Sequence, residues 1–210
     1  MSGRDPRHLD WGRRLAAIAQ TGLHYAEGFD VARYEAVRRI AAELLAAESD
    51  ADVAELADLL RAERGYATPK VDVRGVVVRE QRILLVREAT DGGWTLPGGW
   101  ADMADEPREA VEREVAEEAG LAVRARRLLA VVDRERRPAP PLPFRIYKLL
   151  IACEARDPDA EPRPDGVETL GAGFFDPADP PPLSEGRTHP EHLAIIAERL
   201  ADPGLGAHLD

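Results

Sequence analysis

The stretch that decides the fold runs from Gly98 to Leu121 and reads GGWADMADEPREAVEREVAEEAGL. Pro107 to Ala119 carries a helical charge pattern that opens on proline and is closed by Gly120, the usual asymmetry of helix ends. On such a helix Glu114 and Glu118 stand four residues apart and share a face, with Glu117 on the adjoining edge. Like charges at that spacing cost about 0.2–0.5 kcal/mol per pair when nothing neutralises them. Hard divalent cations, which take oxygen ligands and bridge to substrate phosphates, would neutralise them. Val111 and Val115 supply a narrow apolar stripe for packing on a sheet, which leaves the acidic side free to face a cleft. An acidic chain also displays acidic helix faces that are merely solvated, and EREVAEE alone does not separate the two readings. The surrounding order does: a glycine pair before the helix, Arg113 directly before the first glutamate, and Gly120-Leu121 directly after the last.

Working outward, Val71 to Val78 and Ile83 to Val86 are β-branched runs separated by the polar Arg79-Glu80-Gln81-Arg82, which reads as a hairpin. Trp94 to Leu96 is a short apolar piece closed by Pro97-Gly98-Gly99. Beyond the glutamate helix, strands are expected around Leu128 to Asp133, Phe144 to Cys153 and Ala172 to Phe175, and a closing helix over His189 to Leu200. Pro138 to Pro143 forms a stiff loop that cannot join a sheet interior. Upstream, residues 1 to 66 read as three helices. The first has Asp10 as N-cap and an apolar stripe at Trp11, Leu15, Ile18 and Gly22. The second is capped by Asp30, with Tyr34, Val37, Ala41 and Leu44 on one face. The third starts near Ser49, with Val53, Leu56 and Leu60, and ends at Gly65 before Pro69.

The 210 residues suffice for one main domain with an add-on. A formal net charge of −11 repels phosphate polymers and anionic membranes, so neither nucleic acid nor membrane is expected as a partner. Cys153, the only cysteine, excludes an intrachain disulfide and a cysteine zinc cluster, and its apolar neighbours mark it as a buried strand residue. No apolar run reaches membrane-spanning length and MSGRDPRHLDW lacks a signal-peptide core, which predicts a cytoplasmic protein. His189 and His192 lie one helical turn apart and are read as a surface pair, having no further metal ligands nearby.

The segment from Gly99 to Leu121 resembles the Nudix box, G-x5-E-x7-R-E-U-x-E-E-x-G-U with U aliphatic. Gly99, Arg113, Glu114, Val115, Glu117, Glu118, Gly120 and Leu121 match at the family spacing; Asp105 replaces the first glutamate, one methylene shorter. The resemblance implies an α/β (α+β) Nudix fold, a mixed β-sheet sandwiched between α-helices, over residues 67–210, preceded by a small N-terminal helical extension over 1–66. It also implies Mg²⁺, or Mn²⁺, held by Glu114 and Glu118, with Glu117 as a direct or water-mediated ligand and the Gly99 carbonyl as a backbone ligand. Arg113 would orient the glutamates. A phosphoanhydride is broken by neutralising its charge and aligning a water, and the resemblance implies that a glutamate, either in the box or on a later loop, takes the water's proton. Glu168 is preferred for that role over Glu161.

The helical segment LDWGRRLAAIAQTGLHYAEGFDVARYEAVRRIAAELL, with YKLLIACE and PPLSEGRTHPEHL, is similar to a bacterial Nudix subgroup of ADP-ribose and CDP-choline pyrophosphatases. That similarity implies a nucleoside diphosphate linked to a small moiety as substrate, cleaved to a nucleoside monophosphate and a phosphorylated product. Candidates for substrate binding are Trp100, Trp94, Phe144 and Tyr147 as stacking surfaces and Arg87 as a phosphate contact. The apolar stripes of the extension suggest a homodimer. A DNA-reading helix pair is disfavoured, because residues 1 to 66 hold nine Lys and Arg against twelve Asp and Glu. The competing functions are a housecleaning hydrolase of nucleoside triphosphates and a nucleotide-sugar sensor that does not hydrolyse its ligand.

Overall fold

Valine at five of the eight positions from Val71 to Val78 makes a strand that can be covered on both faces, and in the computed structural model of the protein this strand is the middle of the sheet. The structure describes residues 6–49, 51–137 and 142–210. The elements are α1 (Pro6–Tyr25), α2 (Phe29–Ala47), α3 (Val53–Ala62), β1 (Lys70–Arg79), β2 (Arg82–Glu88), β3 (Trp94–Thr95), α4 (Pro107–Ala119), β4 (Val123–Asp133), β5 (Ile146–Ala155), β6 (Thr169–Phe175), α5 (Pro190–Ala201) and β7 (His208–Leu209). They fall into two compact units: one of α1 to α3 with the segment 142–145, the other of all remaining elements.

In the larger unit the strand order is β3-β2-β1-β5-β4-β7, with β6 on the other side of β2. β1 runs parallel to β5 along eight residues, from Lys70 opposite Ile146 to Val77 opposite Cys153, whereas β4 is antiparallel to β5. The β1–β2 hairpin pairs only at its tip, Val78 with Ile83 and Arg79 with Arg82. Glu80 and Gln81 complete the turn with φ of 49° and 65°, the left-handed geometry a two-residue hairpin requires, reached here without glycine. Past the tip β2 departs, and the edge of β1 is taken by the segment after β3. Gly75 N–H donates to Pro97 O, Val73 N–H to Gly99 O and Ala101 N–H to Val71 O.

Period-2 alternation sends Val73, Gly75 and Val77 to one face and Asp72, Arg74 and Val76 to the other. The first face packs with Leu84, Val86 and Ile151 against Val111, Val115 and Ala119 of α4. On the second, Val76, Leu85, Leu129 and Leu150 meet Leu193 and Ile196 of α5. The result is the expected mixed sheet between helices. α4 can lie directly on β1 because position 75 has no side chain: a Cβ there would sit 2.4 Å from Val115 Cγ2.

Buried among the apolar residues of the α5 face is a polar network. Asp72 accepts from Arg74 Nε and Nη2 at 2.8 and 2.7 Å and from Lys148 Nζ at 3.1 Å, and Arg74 Nη1 donates to Leu96 O at 3.0 Å. Burial works against the Asp72 charge, but Arg74 and Lys148 outweigh it and hold its carboxyl below the usual range. Lys148 is pulled down by burial to about 8 despite Asp72.

Several local expectations need correction. Asp10 lies inside α1, where it faces Arg14 at 3.5 Å rather than capping the helix, and α2 is preceded by Gly28 while Asp30 pairs with Arg33. Of the stripe expected on α1, Leu15 and Gly22 do face α2, whereas Trp11 and Ile18 are 44% and 55% exposed and Gly12, Ala16 and Ala19 are buried instead. Small residues win because they let α1 approach Ala41, Ala42 and Leu45 of α2 closely. α3 begins after Asp52, whose carboxylate accepts from Ala54 N–H, and Val53 is exposed. Phe144 belongs with the helical unit, and β5 starts at Ile146. His192 is not on the surface: it is 3% exposed, its Nδ1 accepts from His189 N–H, and burial depresses its pKa to about 3. Of the Pro138 to Pro143 loop, 138–141 lie outside the described residues. Cys153 is buried as expected, and burial pushes its thiol up to about 12.

The contact at Gly75 yields a stability test. Gly75→Ala should destabilise the protein by about 1–3 kcal/mol through overpacking against Val115, and Gly75→Ala with Val115→Ala should recover part of the loss. Urea unfolding of the two variants checks this; equal midpoints for wild type and Gly75→Ala would mean that the helix is not seated on β1 as described.

Candidate active site

α4 is held from both ends before its acidic face is considered. Pro107 occupies its first turn, Glu106 N–H donates to the Glu109 carboxylate at 3.3 Å, and Gly120 closes it at φ 64° with its N–H on Ala116 O. Glu112 accepts from Ala125 N–H at 2.8 Å and Arg108 donates to Ala125 O at 3.0 Å, which ties the helix to β4. The helix therefore cannot roll, and Glu114 and Glu118 are aimed at the loop between β3 and α4.

That loop comes in against them with its glycines. Gly98 has φ 141° and a Cβ there would lie 2.0 Å from Val73 O, so only glycine fits. Its N–H donates to Glu118 Oε2 at 2.8 Å. At Gly99 a Cβ would sit 3.0 Å from Glu114 Oε2, which puts that carboxylate against the loop backbone. The Gly99 carbonyl accepts from Val73 N–H at 2.8 Å and retains its second lone pair.

Arg113 gathers the rest of the box. It donates to Asp105 Oδ2 from Nε and Nη2, at 3.2 and 3.0 Å, and from Nη1 to Glu114 Oε1 and Glu117 Oε2, both at 2.9 Å. Asp105, in place of the longer glutamate, thus still clasps the arginine. Glu117 is drawn toward Arg113 and is 59% exposed. Glu114 and Glu117 thus meet at one nitrogen, while among the described residues no three His, Cys, Asp or Glu side chains are already closed into a metal cage.

Three residues that the sequence reading passed over complete the surroundings. Glu88, at the end of β2, is 7% exposed and pairs with Thr169 across β6, whose hydroxyl donates to Glu118 O at 2.8 Å. Arg187 Nε contacts Glu88 Oε1 at 3.0 Å. Arg74 lies close enough for its charge to act on both Glu88 and Glu118. The available signals were polar residues embedded in apolar strands, Arg74 in VDVRGVVV and Glu88 after ILLVR. Strand periodicity does not say which side of a sheet faces a cleft.

Burial raises the Glu118 carboxyl to about 7, opposed by the Gly98 N–H and Arg74 and reinforced by Glu114 and Glu88. Burial likewise raises Glu114, against Arg113, and Glu88, against Arg187 and Arg74. Glu88, Glu114 and Glu118 are thus each kept above the usual carboxylate range although Arg187, Arg74 and Arg113 stand beside them. A hard divalent cation fits this donor set, and Mg²⁺ in particular keeps several waters and needs only one or two carboxylates beside a substrate phosphate.

The remaining expected residues are spread around this centre. Glu168 is exposed on the loop before β6; its carbonyl accepts from Ala89 N–H and its charge reaches Glu88. Trp100 is 47% exposed beside Gly99 and bridges to Asp72 through the backbone. Tyr147, 39% exposed, is on β5 opposite Val71, on the α4 side of the sheet. Arg87 is on the other side: its Cβ borders Gly171 beside Trp94, and its Nε donates to Gly92 O. Trp94 packs edge-on against Phe175 at 4.6 Å and serves the α5-side core.

Desolvation of Glu118 gives a pH prediction. Its folded-state pKa, about 7, lies above the ordinary 4.5, so the unfolded chain loses this proton first. Native stability is therefore lowered progressively from pH 4.5 to about 7, and stays lowered above that. Glu118→Gln should raise the urea midpoint of the metal-free protein at pH 8 and change it little at pH 4.5. A variant less stable than wild type at pH 8 would contradict the burial of a strained carboxylate.

Comparison with known proteins agrees with this geometry. Residues 68–197 match the NUDIX domain, and residues 6–60 match a family described as a UDP-X-like, N-terminal oligomerisation domain. The chain is 42% identical over 196 residues, 93% of each protein, to YjhB of Bacillus subtilis, provisionally named an ADP-ribose pyrophosphatase. The crystal structure of an ADP-ribose pyrophosphatase from Streptococcus suis, 38% identical, superposes with a TM-score of 0.60 and covers 68% of this chain and 100% of its own. That of a UDP-X diphosphatase, 32% identical, superposes with a TM-score of 0.62 over 98% of both chains. A glutamate helix clasped by Arg113, a glycine loop that fits only against it, and this similarity over nearly the full length lead to one conclusion: the chain belongs to the Nudix hydrolases, in the subgroup with a UDP-X-like N-terminal domain.

Proposed function

We propose that this Nudix hydrolase cleaves the pyrophosphate bond of a nucleoside diphosphate linked to a small moiety, of the ADP-ribose, CDP-choline or UDP-linked type, with Mg²⁺ or Mn²⁺ as cofactor. The observation that carries the reading is the pair Glu114 and Glu118, desolvated against Gly98 and Gly99 and raised above the usual carboxylate range by that burial. The names of the full-length relatives support a diphosphate rather than a triphosphate substrate.

In this mechanism Glu114 and Glu118 would hold the metal, the Gly99 carbonyl would add a backbone oxygen, and Glu117 would serve as a direct or water-mediated ligand. A bound divalent cation supplies charge neutralisation of the diphosphate and a more acidic water. Arg113 keeps Glu114 and Glu117 oriented through its two 2.9 Å bonds and leaves Glu114 Oε2 turned to Gly99. Glu168, on its exposed loop near Glu88, takes the proton from the attacking water. Trp100 and Tyr147 offer aromatic surface to the base or the leaving moiety. Arg87, on the opposite side of β2 from these carboxylates, is less suited to the phosphate than its sequence position suggested.

The domain reading that accompanies this function is a helical extension over 1–66 that assembles a cytoplasmic homodimer and a catalytic domain over 67–210. The family description of residues 6–60 as an oligomerisation domain supports the first part.

Mass-spectrometric product analysis after incubation with ADP-ribose, CDP-choline, a UDP-sugar and a nucleoside triphosphate, with and without Mg²⁺, tests the assignment. Nucleoside monophosphate from a diphosphate substrate, only with metal, is the expected result. Pyrophosphate released from the triphosphate alone would instead favour the housecleaning reading, and tight ligand binding without turnover the sensor. Glu114→Gln should lower kcat by about 100- to 1000-fold, the scale for losing one preorganised electrostatic element. Glu168→Gln should lower kcat and flatten the acidic limb of its pH profile, while near-normal turnover would remove Glu168 from the base role.

A further inference from the structure

The segment Leu183 to His189, LSEGRTH, drew attention in the sequence only as part of a subgroup similarity. In the structure it is pinned to β3 at two points. Ser184 N–H donates to Trp94 O at 2.8 Å, and Gly93 leaves no room for a Cβ, which would lie 2.7 Å from the Ser184 amide nitrogen. Four residues on, the Thr188 hydroxyl accepts from Leu96 N–H at 3.0 Å and meets Thr95 Oγ1 at 2.8 Å. Ser184 and Thr188 are 2% and 0% exposed, so the backbone between them has a fixed position.

Arg187 projects from that fixed stretch. Its shortest contact is from Nε to Glu88 Oε1 at 3.0 Å; Nη2 donates to Thr90 Oγ1 at 3.2 Å, and Nη1 reaches Ser184 Oγ at 3.2 Å and Asp91 Oδ2 at 3.4 Å. Nη2 uses one of its two hydrogens, and the 3.4 Å contact of Nη1 to Asp91 is the longest of the set, so the fork has one donor to spare and one loosely held. The side chain is 34% exposed and rests on a buried carboxylate that sits, through Thr169, beside Glu118. The other arginines near the carboxylates are committed: Arg74 is buried on Asp72 and Leu96 O, and Arg113 is spent on Asp105, Glu114 and Glu117.

We infer that Arg187 is a substrate-binding residue that grips the diphosphate from the side opposite α4, and that Glu88 is its positioning residue. The terminal nitrogens exchange Thr90 and Asp91 for non-bridging phosphate oxygens while Nε stays on Glu88. A guanidinium suits this, since its planar fork matches two oxygens of a phosphate and its charge does not titrate. The inference rests on the diphosphate reading of the active site and adds a residue outside the Nudix box to it.

The test combines kinetics on ADP-ribose with calorimetric titration of ADP in the presence of Mg²⁺, for wild type, Arg187→Gln, Arg187→Lys and Glu88→Gln. Arg187→Gln should raise KM and the Kd for ADP by about 10- to 100-fold, the usual scale of a charge-assisted hydrogen bond, with a much smaller change in kcat. Mn²⁺ affinity read by electron paramagnetic resonance should stay the same, and so should binding of adenosine, which has no phosphate. Arg187→Lys should recover part of the loss, and Glu88→Gln should shift KM in the same direction by less. A KM and an ADP Kd within twofold of wild type in Arg187→Gln, with only a lower Tm, would reduce the residue to a loop clamp and overturn the inference. Should Arg187→Gln not fold, a few-fold KM rise in Arg187→Lys sustains it and an unchanged KM overturns it. If wild type hydrolyses no diphosphate at all, the functional reading fails separately and the ADP titration decides alone. Binding lost in the variant then supports Arg187, and equal binding, or none in wild type, refutes it.

Discussion

The hydrogen bond from the Gly98 amide to the Glu118 carboxylate, 2.8 Å long, joins the two halves of the site and sets terms for everything around it. It forms only if the loop after β3 runs flush along the edge of β1, which demands glycine at position 98, and only if α4 lies directly on β1, which demands glycine at position 75. The first demand comes from the backbone, through Val73 O, and the second from the Val115 side chain that seats α4 on β1. The rigidity that follows is what a site built on helix and strand provides and a site built on loops alone does not.

A carboxylate held this way lacks enough hydrogen bonds and countercharge for the water it has lost, and the protein accepts the cost where function uses it. Glu118, Glu114 and Glu88 all have raised pKa values caused by burial, and the nearby arginines offset this only in part. The Asp72, Arg74 and Lys148 network on the other face of β1 shows the contrasting case. There one carboxylate has two cations and a bidentate contact, and it stays ionised in spite of full burial. The same strand therefore carries a satisfied charge cluster on one side and borders an unsatisfied one on the other. Stability and chemistry are separated by the thickness of a sheet.

The helical unit illustrates how packing can redraw an apolar pattern. Of the expected stripe on α1, Leu15 and Gly22 turn to α2 while Trp11 and Ile18 stay exposed, and Gly12, Ala16 and Ala19 are buried, because close approach to α2 favours small side chains. That Trp11 and Ile18 remain on the outside is consistent with the family description of this region as an oligomerisation domain.

By itself the sequence determined the order and type of the elements other than β7, the helix from Pro107 to Ala119 to the residue, and the shared face of Glu114 and Glu118. These are local properties: helix ends follow from proline and glycine, and i, i+4 neighbours follow from the pitch. Only the tertiary structure decided that Arg113 Nη1 ties Glu117 to Glu114, that His192 is buried, and that Arg87 and Glu88 lie on opposite sides of β2. Only it brought Arg187, ninety-nine residues beyond Glu88, onto that carboxylate. The physical reason is the same in each case. Strand periodicity separates two faces without saying which meets the cleft, and a contact between distant segments depends on sheet order and backbone clearance, neither of which is written in a local pattern.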